Sequence, residues 1–446
     1  MPLLTRWAVV AALAATLTAA DLRLVDAVKR RDPKAVASLL REKTDVNAAQ
    51  PDGATALSWA IHFGDRATAD MLLAAGANVN VANEYGETPL TLACLNGDAA
   101  LVTKLLAAGA DAKAARWNGE TALMIAAGAG SVEAAAQLIA AGADVNTVES
   151  RKGQTALMWA AAEGHSEVVK LLIAKGADVK AVSKSGYTPV LFAAMKNDVA
   201  SVRALIAAGA DANVALPGGG GTALSVAASY ASTGAAAALL DNGADPKLAD
   251  RTGRTPLHIA SQSGQVALAR KLLAKGASLG ALTAPVARGS GGGFRGPIGG
   301  QSPLFLAARA GHIDVMRALL EAGADPKAKS PDGATFLMAA VGSAKVEAVK
   351  FAYQHDSDVK AATNDGTTLM HASVIGTANG ATQEAQERVC EVIRFLAENG
   401  APVDELNSEG RTPIDLADGL PIDKAVDLFT ELIVKSGIKP KSPTKR

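Results

Sequence analysis

The chain repeats one short phrase, a Thr or Ser followed by apolar residues and an Ala, eleven times within its 446 residues. Successive copies lie 33, 33, 34, 33, 34, 33, 47, 33, 33 and 44 residues apart. The copies begin at Thr55, Thr88, Thr121, Thr155, Thr188, Thr222, Thr255, Ser302, Thr335, Thr368 and Thr412. A period of about 20–50 residues indicates an array in which each unit buries its apolar face against its neighbours. The spacing therefore predicts a repeat solenoid without one central core.

Each copy has the composition of a turn followed by the start of a helix. A Gly stands two residues before the Thr in nearly every copy, and Gly adopts turn conformations at little steric cost. The Thr hydroxyl suits a helix N-cap because it accepts a backbone N–H group of the first turn. Pro follows in several copies, where its missing N–H group costs nothing. A helix should therefore begin at each phrase and end near a later Gly, or near Asn197 in one copy.

A second apolar segment completes each unit. Residues 168–173 carry apolar side chains at helical spacing, and Gly176-Ala177-Asp178 follows them. Similar endings recur in most of the other units. Because helices this short are unstable alone in water, the stability of the chain must come from the stacking of repeats.

Residues 255–260 read Thr-Pro-Leu-His-Ile-Ala, and with the period of 33 they give the chain a resemblance to the ankyrin-repeat family. The resemblance extends over roughly residues 21 to 435. It implies an all-α solenoid of helix-turn-helix units with β-hairpin-like fingers. It also implies structural hydrogen bonds for His258 and His371 and structural use of His165 and His312. The family mediates contacts between proteins, so the resemblance favours a binding role.

Residues 1–20 have the pattern of a secretory signal peptide. Arg6 provides a weak positive start, residues 7–17 are apolar, and residues 18–20 (Thr-Ala-Ala) form a plausible cleavage site. The apolar run is too short to span a bilayer comfortably, so no stable membrane insertion is expected. The pattern favours export, and the Ala-rich style of the repeats indicates a bacterial protein, so export would lead to the periplasm or out of the cell. The alternative is an Ala-rich extra helix in a cytosolic protein.

The period also divides the rest of the chain. Residues 21–52 are expected to form a capping helix pair, and repeats occupy 53–280. A Gly-rich insertion adds fourteen residues within 281–301, and repeats with a C-terminal cap follow over 302–435. A second insertion, of eleven residues between Gly376 and Arg388, should lengthen the helix after it. The basic tail, 436–446, is interpreted as a flexible terminus rather than as a nucleic-acid or membrane contact.

Composition argues against nucleic acid as the main partner. Lys plus Arg and Asp plus Glu each number 44, so no net charge attracts polyanions. The six histidines are spread over different repeats, and the glycines at 218–221 lack the Lys-Ser/Thr of a phosphate loop. No catalytic, metal or cofactor site is therefore predicted. An enzyme would need an acid–base pair, and the sequence does not show one.

The two cysteines are too far apart for a disulfide within the chain. Eight repeat steps of about 8–10 Å separate Cys94 from Cys390 by on the order of 70 Å, whereas a disulfide needs Cα atoms within about 7 Å. Both are interpreted as buried small hydrophobic residues. Cys390, on an outer helix, is the better candidate for a reactive thiol.

The candidate partner-binding residues are aromatic, basic or apolar side chains that the repeat does not require. They fall in the fingers, in the insertion, or late on the first helix of a repeat, on the concave side of such arrays. They are Phe63, Tyr85, Trp117, Arg151, Lys152, Lys184, Tyr187, Met195, Tyr230, Arg251, Arg254 and Phe294. This composition is typical of binding hot spots. Two alternatives stay open: packing against adjacent fingers, and, for Phe294, an insertion without a partner. Trp59 and Trp159 are expected in the core.

The sequence thus predicts a non-enzymatic scaffold that binds another protein, of unknown identity, through the finger and inner-helix side of the array. The default oligomeric state is a monomer. The alternative function is binding of a small molecule or glycan, with residues 283–297 as a lid.

Overall fold

The computed structural model describes residues 21–285, 299–375, 382–418 and 420–441. Within these residues the chain forms 24 α-helices and no strand, which confirms the all-α class. The chain divides into two compact units, unit 1 (Met1–Phe192) and unit 2 (Ala193–Arg446). In both units an inner helix begins at the repeated phrase and an outer helix follows it.

Unit 1 opens with the pair α1 (Arg23–Lys29) and α2 (Pro33–Arg41), at the place predicted for the N-terminal cap. The inner helices are α3 (Ala56–His62), α5 (Pro89–Leu95), α7 (Ala122–Gly128) and α9 (Ala156–Glu163). The outer helices are α4 (Arg66–Ala74), α6 (Ala99–Ala107), α8 (Val132–Ala140) and α10 (Ser166–Ala174). Helix α1 packs on α3, and each inner helix packs on the next. The boundary between the units falls within α11 (Pro189–Lys196).

Unit 2 continues the same alternation. The outer helices are α12 (Val199–Ala207), α14 (Thr233–Asp241), α16 (Val266–Ala274), α18 (Ile313–Glu321), α20 (Val346–Tyr353), α22 (Gln383–Glu398) and α24 (Asp423–Ser436). The inner helices are α13 (Ala223–Ser229), α15 (Pro256–Gln262), α17 (Pro303–Ala310), α19 (Phe336–Val341), α21 (Leu369–Ile375) and α23 (Pro413–Ala417). Each inner helix packs on the next throughout. Each unit is therefore a stack of helix pairs.

The caps follow the sequence prediction closely. The Thr155 hydroxyl accepts the backbone N–H group of Met158, as an N-cap should. At Thr88, Thr255 and Thr412 the third helical residue also bonds back to the cap, which forms a capping box. Thr188 differs, because its buried hydroxyl has no hydrogen-bond partner among the described residues.

Asn197 confirms that the turn after an inner helix needs a left-handed backbone. It has a φ of 61°, whereas glycine stands at this place in most repeats, as at Gly164 with a φ of 79°. Asn tolerates this conformation better than most other residues because its side chain can hydrogen-bond locally.

The fingers connect each outer helix to the next inner helix and consist of turns. Single antiparallel bridges, such as Ala49 with Thr55 in unit 1 and Ala362 with Thr368 in unit 2, take the place of the expected β-hairpins. Backbone hydrogen bonds join adjacent fingers. The N–H group of Lys184 donates to the carbonyl oxygen of Lys152 at 2.8 Å, and that of Ser150 to Asn118 at 2.9 Å. The fingers of a unit thus form a ladder.

Asparagine side chains make a second connection between repeats. In unit 1 the Asn146 side chain accepts the N–H group of Asp178 at 2.8 Å and donates to the carbonyl oxygen of Gly176 at 3.1 Å. Asn80 bonds in the same way to Asp111 and Gly109. We call this arrangement the Asn bridge. It satisfies backbone groups at the turn that ends the following outer helix.

The first insertion leaves the stacking of unit 2 intact. Its flanks pair with each other, because the N–H group of Gly300 donates to the carbonyl oxygen of Thr283 at 2.7 Å. Helix α15 packs on α17, and α16 packs on α18, across the insertion. The array is therefore continuous there. Residues 286–298, which include Phe294, lie outside the described residues.

The C-terminal part departs from the regular repeat in two places. Helix α22 has 16 residues, whereas most outer helices have 9, so the second insertion lengthens this helix as predicted. Residues 437–441 were expected to fray with the tail, yet Lys441 contacts the repeats. Its N–H group donates to Asp404 at 2.8 Å, and its Nζ lies 2.6 Å from Glu405. Residues 1–20 and 442–446 lie outside the described residues.

Candidate interaction surfaces

The histidines of the repeated phrase have structural roles. The Nδ1 atom of buried His258 accepts the N–H group of its own cap, Thr255, at 3.1 Å. An atom that accepts this bond is unprotonated, so Nε2 carries the proton and donates to the carbonyl oxygens of Ala281 and Gln301 at 3.1 and 3.0 Å. These two carbonyls flank the insertion, so His258 ties its ends together.

His371 repeats the arrangement in the tenth copy of the phrase. Its Nδ1 accepts the N–H group of Thr368 at 3.1 Å, and its Nε2 donates to the carbonyl oxygen of Arg411 at 3.0 Å. Burial lowers the pKa of both His258 and His371, which keeps them neutral. His165 and His312 each bond a backbone carbonyl of the preceding inner helix. The structural use expected for all four histidines is confirmed.

Among the described residues, no group of three or more His, Cys, Asp or Glu side chains could hold a metal ion. Cys94 and Cys390 are free and buried, as predicted. Burial raises the pKa of the Cys94 thiol to about 12 and also raises that of Cys390. Both thiols are therefore protonated and poorly nucleophilic at neutral pH.

Unit 1 begins with an aromatic cluster that the cap partly covers. The rings of Trp59 and Phe63 lie 5.5 Å apart. The Lys29 ammonium lies 4.8 Å from the centre of the Trp59 ring, and the Arg31 guanidinium 4.7 Å from that of Phe63. Phe63, a predicted contact residue, is thus half-buried and bound to the cap by a cation–π contact.

The next two repeats expose large apolar groups. Trp117 is 74% exposed and Tyr85 is 56% exposed, each at a finger, as the sequence suggested. Leu95, at the end of inner helix α5, is 54% exposed. Tyr85 and Trp117 occupy neighbouring fingers, whose backbones meet where the Trp117 N–H group donates to the Tyr85 carbonyl oxygen. A hydrogen bond to Glu84 raises the pKa of the Tyr85 hydroxyl.

Tyr187 and Trp159 are less accessible. Tyr187 is half-buried, with its ring 5.3 Å from that of Phe192. Trp59 was expected in the core and is only half-buried, and the same is true of Trp159. Its ring lies over Gly128, where an added Cβ would be only 3.0 Å from Trp159 Cε3. The expectation of a core position is therefore wrong. The Trp159 indole N–H group has no hydrogen-bond partner among the described residues.

Three basic residues of unit 1 are exposed on adjacent fingers. The carboxylate of Glu149 accepts the backbone N–H groups of Arg151 and Lys152 at 2.6 and 2.7 Å, which fixes the turn that carries them. Burial alone would raise the pKa of Glu149, but these hydrogen bonds lower it. Lys184, on the following finger, donates through Nζ to the carbonyl oxygen of Ser150.

The predicted contact residues of unit 2 lie near the ends of inner helices or in a finger. Tyr230 is 57% exposed at the end of α13, and Met195 is half-buried in α11. Arg251 is exposed, and its N–H group donates to the carbonyl oxygen of Gly219 in the preceding finger. Arg254 lines a cavity of about 380 Å³ together with Arg309 and glutamine and threonine side chains.

The sequence reasoning missed three groups on these surfaces: Leu95, Gln262 and Arg309. Each stands seven residues after the first residue of its phrase, in the same register as Met195. Their register in the repeat is the signal that identifies them, since none of the three is aromatic.

The fold and these surfaces define a repeat protein that stacks helix pairs and varies the residues on its fingers and inner helices. A family model described as ankyrin repeats (3 copies) matches residues 24–116, 92–183, 190–283 and 304–382. The chain therefore belongs to the ankyrin-repeat family. No curated protein matches the chain significantly. Ankyrin repeats are generally protein–protein interaction modules and are typically non-enzymatic. No helix of the described residues is long and apolar enough to cross a membrane.

Proposed function

We propose that the protein is a scaffold that binds another protein through the finger and inner-helix face of unit 1. The observation that carries the proposal is the exposure of Tyr85, Leu95 and Trp117 in consecutive repeats. Two of the three are aromatic, and aromatic residues are enriched at protein interfaces. The partner would contribute an apolar segment.

The surroundings of these residues favour a preorganised surface. The fingers that carry Tyr85 and Trp117 are joined by a backbone hydrogen bond, and α5 packs on α7 beneath them. A rigid support lowers the entropy lost when a partner orders the side chains. Exposed Arg151 and Lys152 on a following finger add positive charge, which would orient a partner that carries acids beside its apolar segment.

Selection from a random peptide display library, followed by fluorescence anisotropy with the selected peptides, tests the proposal. We expect apolar and aromatic peptides to be enriched. Replacing Leu95 and Trp117 together by Ala should weaken their binding by roughly thirtyfold or more, as loss of about 2 kcal/mol at a hot spot would. The array should still unfold at the same temperature, because both side chains are exposed.

Val132→Ala is the matched control. Val132 is also exposed and apolar, but it lies on outer helix α8. Equal loss of binding in this variant, or unchanged binding in the Leu95→Ala/Trp117→Ala variant, would contradict the proposed face.

Export is a further part of the proposal and is supported by the charge and apolar pattern of residues 1–20. N-terminal sequencing of the protein purified from its native cell should begin at or near Asp21. Recovery of a chain that keeps Met1 would refute export by a cleaved signal peptide.

A further inference from the structure

We propose that unit 2 contains a binding site for a carboxylate group, in the cavity lined by Arg254 and Arg309. The site lies outside the unit 1 face, so it goes beyond the function proposed above and does not depend on it. The ligand class is a molecule or a protein segment that carries a free carboxylate, such as an acidic side chain or a chain terminus.

Among the described residues, the lining of the cavity has cationic and neutral polar groups but no carboxylate. Its polar side chains are Thr252, Arg254, Gln262, Thr283, Gln301 and Arg309. Fingers and inner helices of consecutive repeats supply them, since Arg254 precedes α15, whereas Arg309 lies in α17. Two guanidinium groups therefore line one cavity, and no described residue of its walls is an acid.

Each guanidinium interacts with a neutral amide. Arg254 Nη2 donates to Gln262 Oε1, and Arg309 Nη1 donates to Gln301 Oε1 at 3.1 Å. An amide oxygen satisfies a donor but does not neutralise a charge. Arg116 in unit 1 shows the contrast, because it forms ion pairs with Glu87 and Glu120 at 2.7 and 2.9 Å.

Asp250 and Asp332 act on Arg254 and Arg309, respectively, as nearby charges, and both carboxylates also accept hydrogen bonds from hydroxyl groups. Asp250 accepts the Thr252 hydroxyl and the backbone N–H groups of Thr252 and Arg254. Asp332 accepts the Ser330 hydroxyl and reaches Arg309 only as a nearby charge. Burial of part of the Arg309 side chain lowers its pKa, although the residue as a whole keeps solvent exposure. A bound anion would stabilise its charged form.

Shape favours a carboxylate on a short apolar stem. A planar guanidinium offers paired N–H donors that match the two oxygens of a carboxylate. Leu306 and Ala310 of α17 and Ala284 supply an apolar part of the wall, against which methylene groups can pack. The volume of about 380 Å³ is within the range of small-molecule sites, so a single acidic residue fits.

Fluorescence anisotropy of the full chain with fluorescein-labelled hexaglutamate, at about 0.15 M salt to screen diffuse attraction, tests the site. Labelled hexaglutamine is the neutral probe. We expect Arg254→Gln and Arg309→Gln each to weaken hexaglutamate binding about tenfold, as the loss of one charge-assisted contact would. Excess succinate should displace the probe, and hexaglutamine should not bind.

Arg203→Gln is the matched control, because Arg203 is an exposed arginine of unit 2 on outer helix α12. It removes the same charge and should leave the affinity unchanged. If it weakens binding as much as Arg309→Gln does, the attraction is diffuse and the site is refuted. Displacement by inorganic phosphate but not by succinate would also overturn the carboxylate assignment. Thermal unfolding of each variant shows whether it is folded. If Arg309→Gln does not fold, the hexaglutamate affinity of Arg254→Gln still tests the site.

Discussion

His258 illustrates how far single residues could be predicted. The sequence placed it in the phrase and predicted structural hydrogen bonds, and both its ring nitrogens make them. Thr caps and the left-handed Asn197 were predictable for the same reason, because a local backbone conformation dictates them. The burial of Trp159 was not predictable, because its ring packs over the small Gly128 of the preceding repeat. Periodicity fixes a residue's place in its own helix but not the size of its neighbour.

The buried histidines make stability depend on pH. Burial lowers the pKa of His258 and His371 in the folded chain below the ordinary value of about 6.5. The unfolded chain therefore binds protons first as the pH falls. Stability is fully present above about pH 6.5 and decreases below it, by up to about 1.4 kcal/mol per pH unit for each histidine.

Urea unfolding between pH 7.5 and 5 should show this loss, and His258→Gln/His371→Gln should reduce the slope. His62→Gln, which changes an exposed histidine of unit 1, should keep it. A slope that survives in the double variant would assign the effect to other groups.

Among the connecting elements, the Asn bridges and the finger ladder hold consecutive repeats together beside the helix packing. The sequence shows where these asparagines and fingers lie but not which hydrogen bonds they form. Asn146 and Lys180 both stand two residues after the Asp of a Gly-Ala-Asp turn, yet hydrogen bonds from the side chain to the next repeat are present at Asn146. The β-hairpin character expected of the fingers comes from family resemblance, and the turns here are too short for more than single bridges.

Asn146→Ala should destabilise unit 1 by about 1–2 kcal/mol, because it leaves two backbone groups without their partners in an accessible turn. Lys180→Ala is the control at the same register and should change the free energy of unfolding by less than about 0.5 kcal/mol. Chemical denaturation of both variants measures the difference. If both variants lose the same free energy of unfolding, the hydrogen bonds of the Asn bridge add no stability.

The chain divides into two compact units, and each contains one cysteine, Cys94 in unit 1 and Cys390 in unit 2. The period predicted the repeats of both units but not the boundary inside α11, because the phrase there is as regular as elsewhere. A boundary of this kind depends on backbone contacts summed over many repeats, which one period does not encode.

The two thiols can report on the opening of each unit. Cys94→Ser leaves Cys390 as the probe for unit 2, and Cys390→Ser leaves Cys94 for unit 1. Without denaturant we expect both to react with an aromatic disulfide reagent far more slowly than an unfolded thiol, because burial raises both pKa values. Cys390, the less deeply buried thiol, should react faster. Rapid labelling of Cys94 in the folded chain would contradict its burial.

Hydrogen bonds between backbone atoms align the fingers of the ladder, and the residues that donate in them differ widely. Ser150 and Lys184 occupy this position in unit 1, and Arg251, Ala284 and Asn364 occupy it in unit 2. The backbone hydrogen bond that aligns each finger therefore forms with widely different side chains on the donating residue. A lineage of such proteins can exchange the residues at its finger tips, and with them its binding partners, while the framework that displays them stays the same.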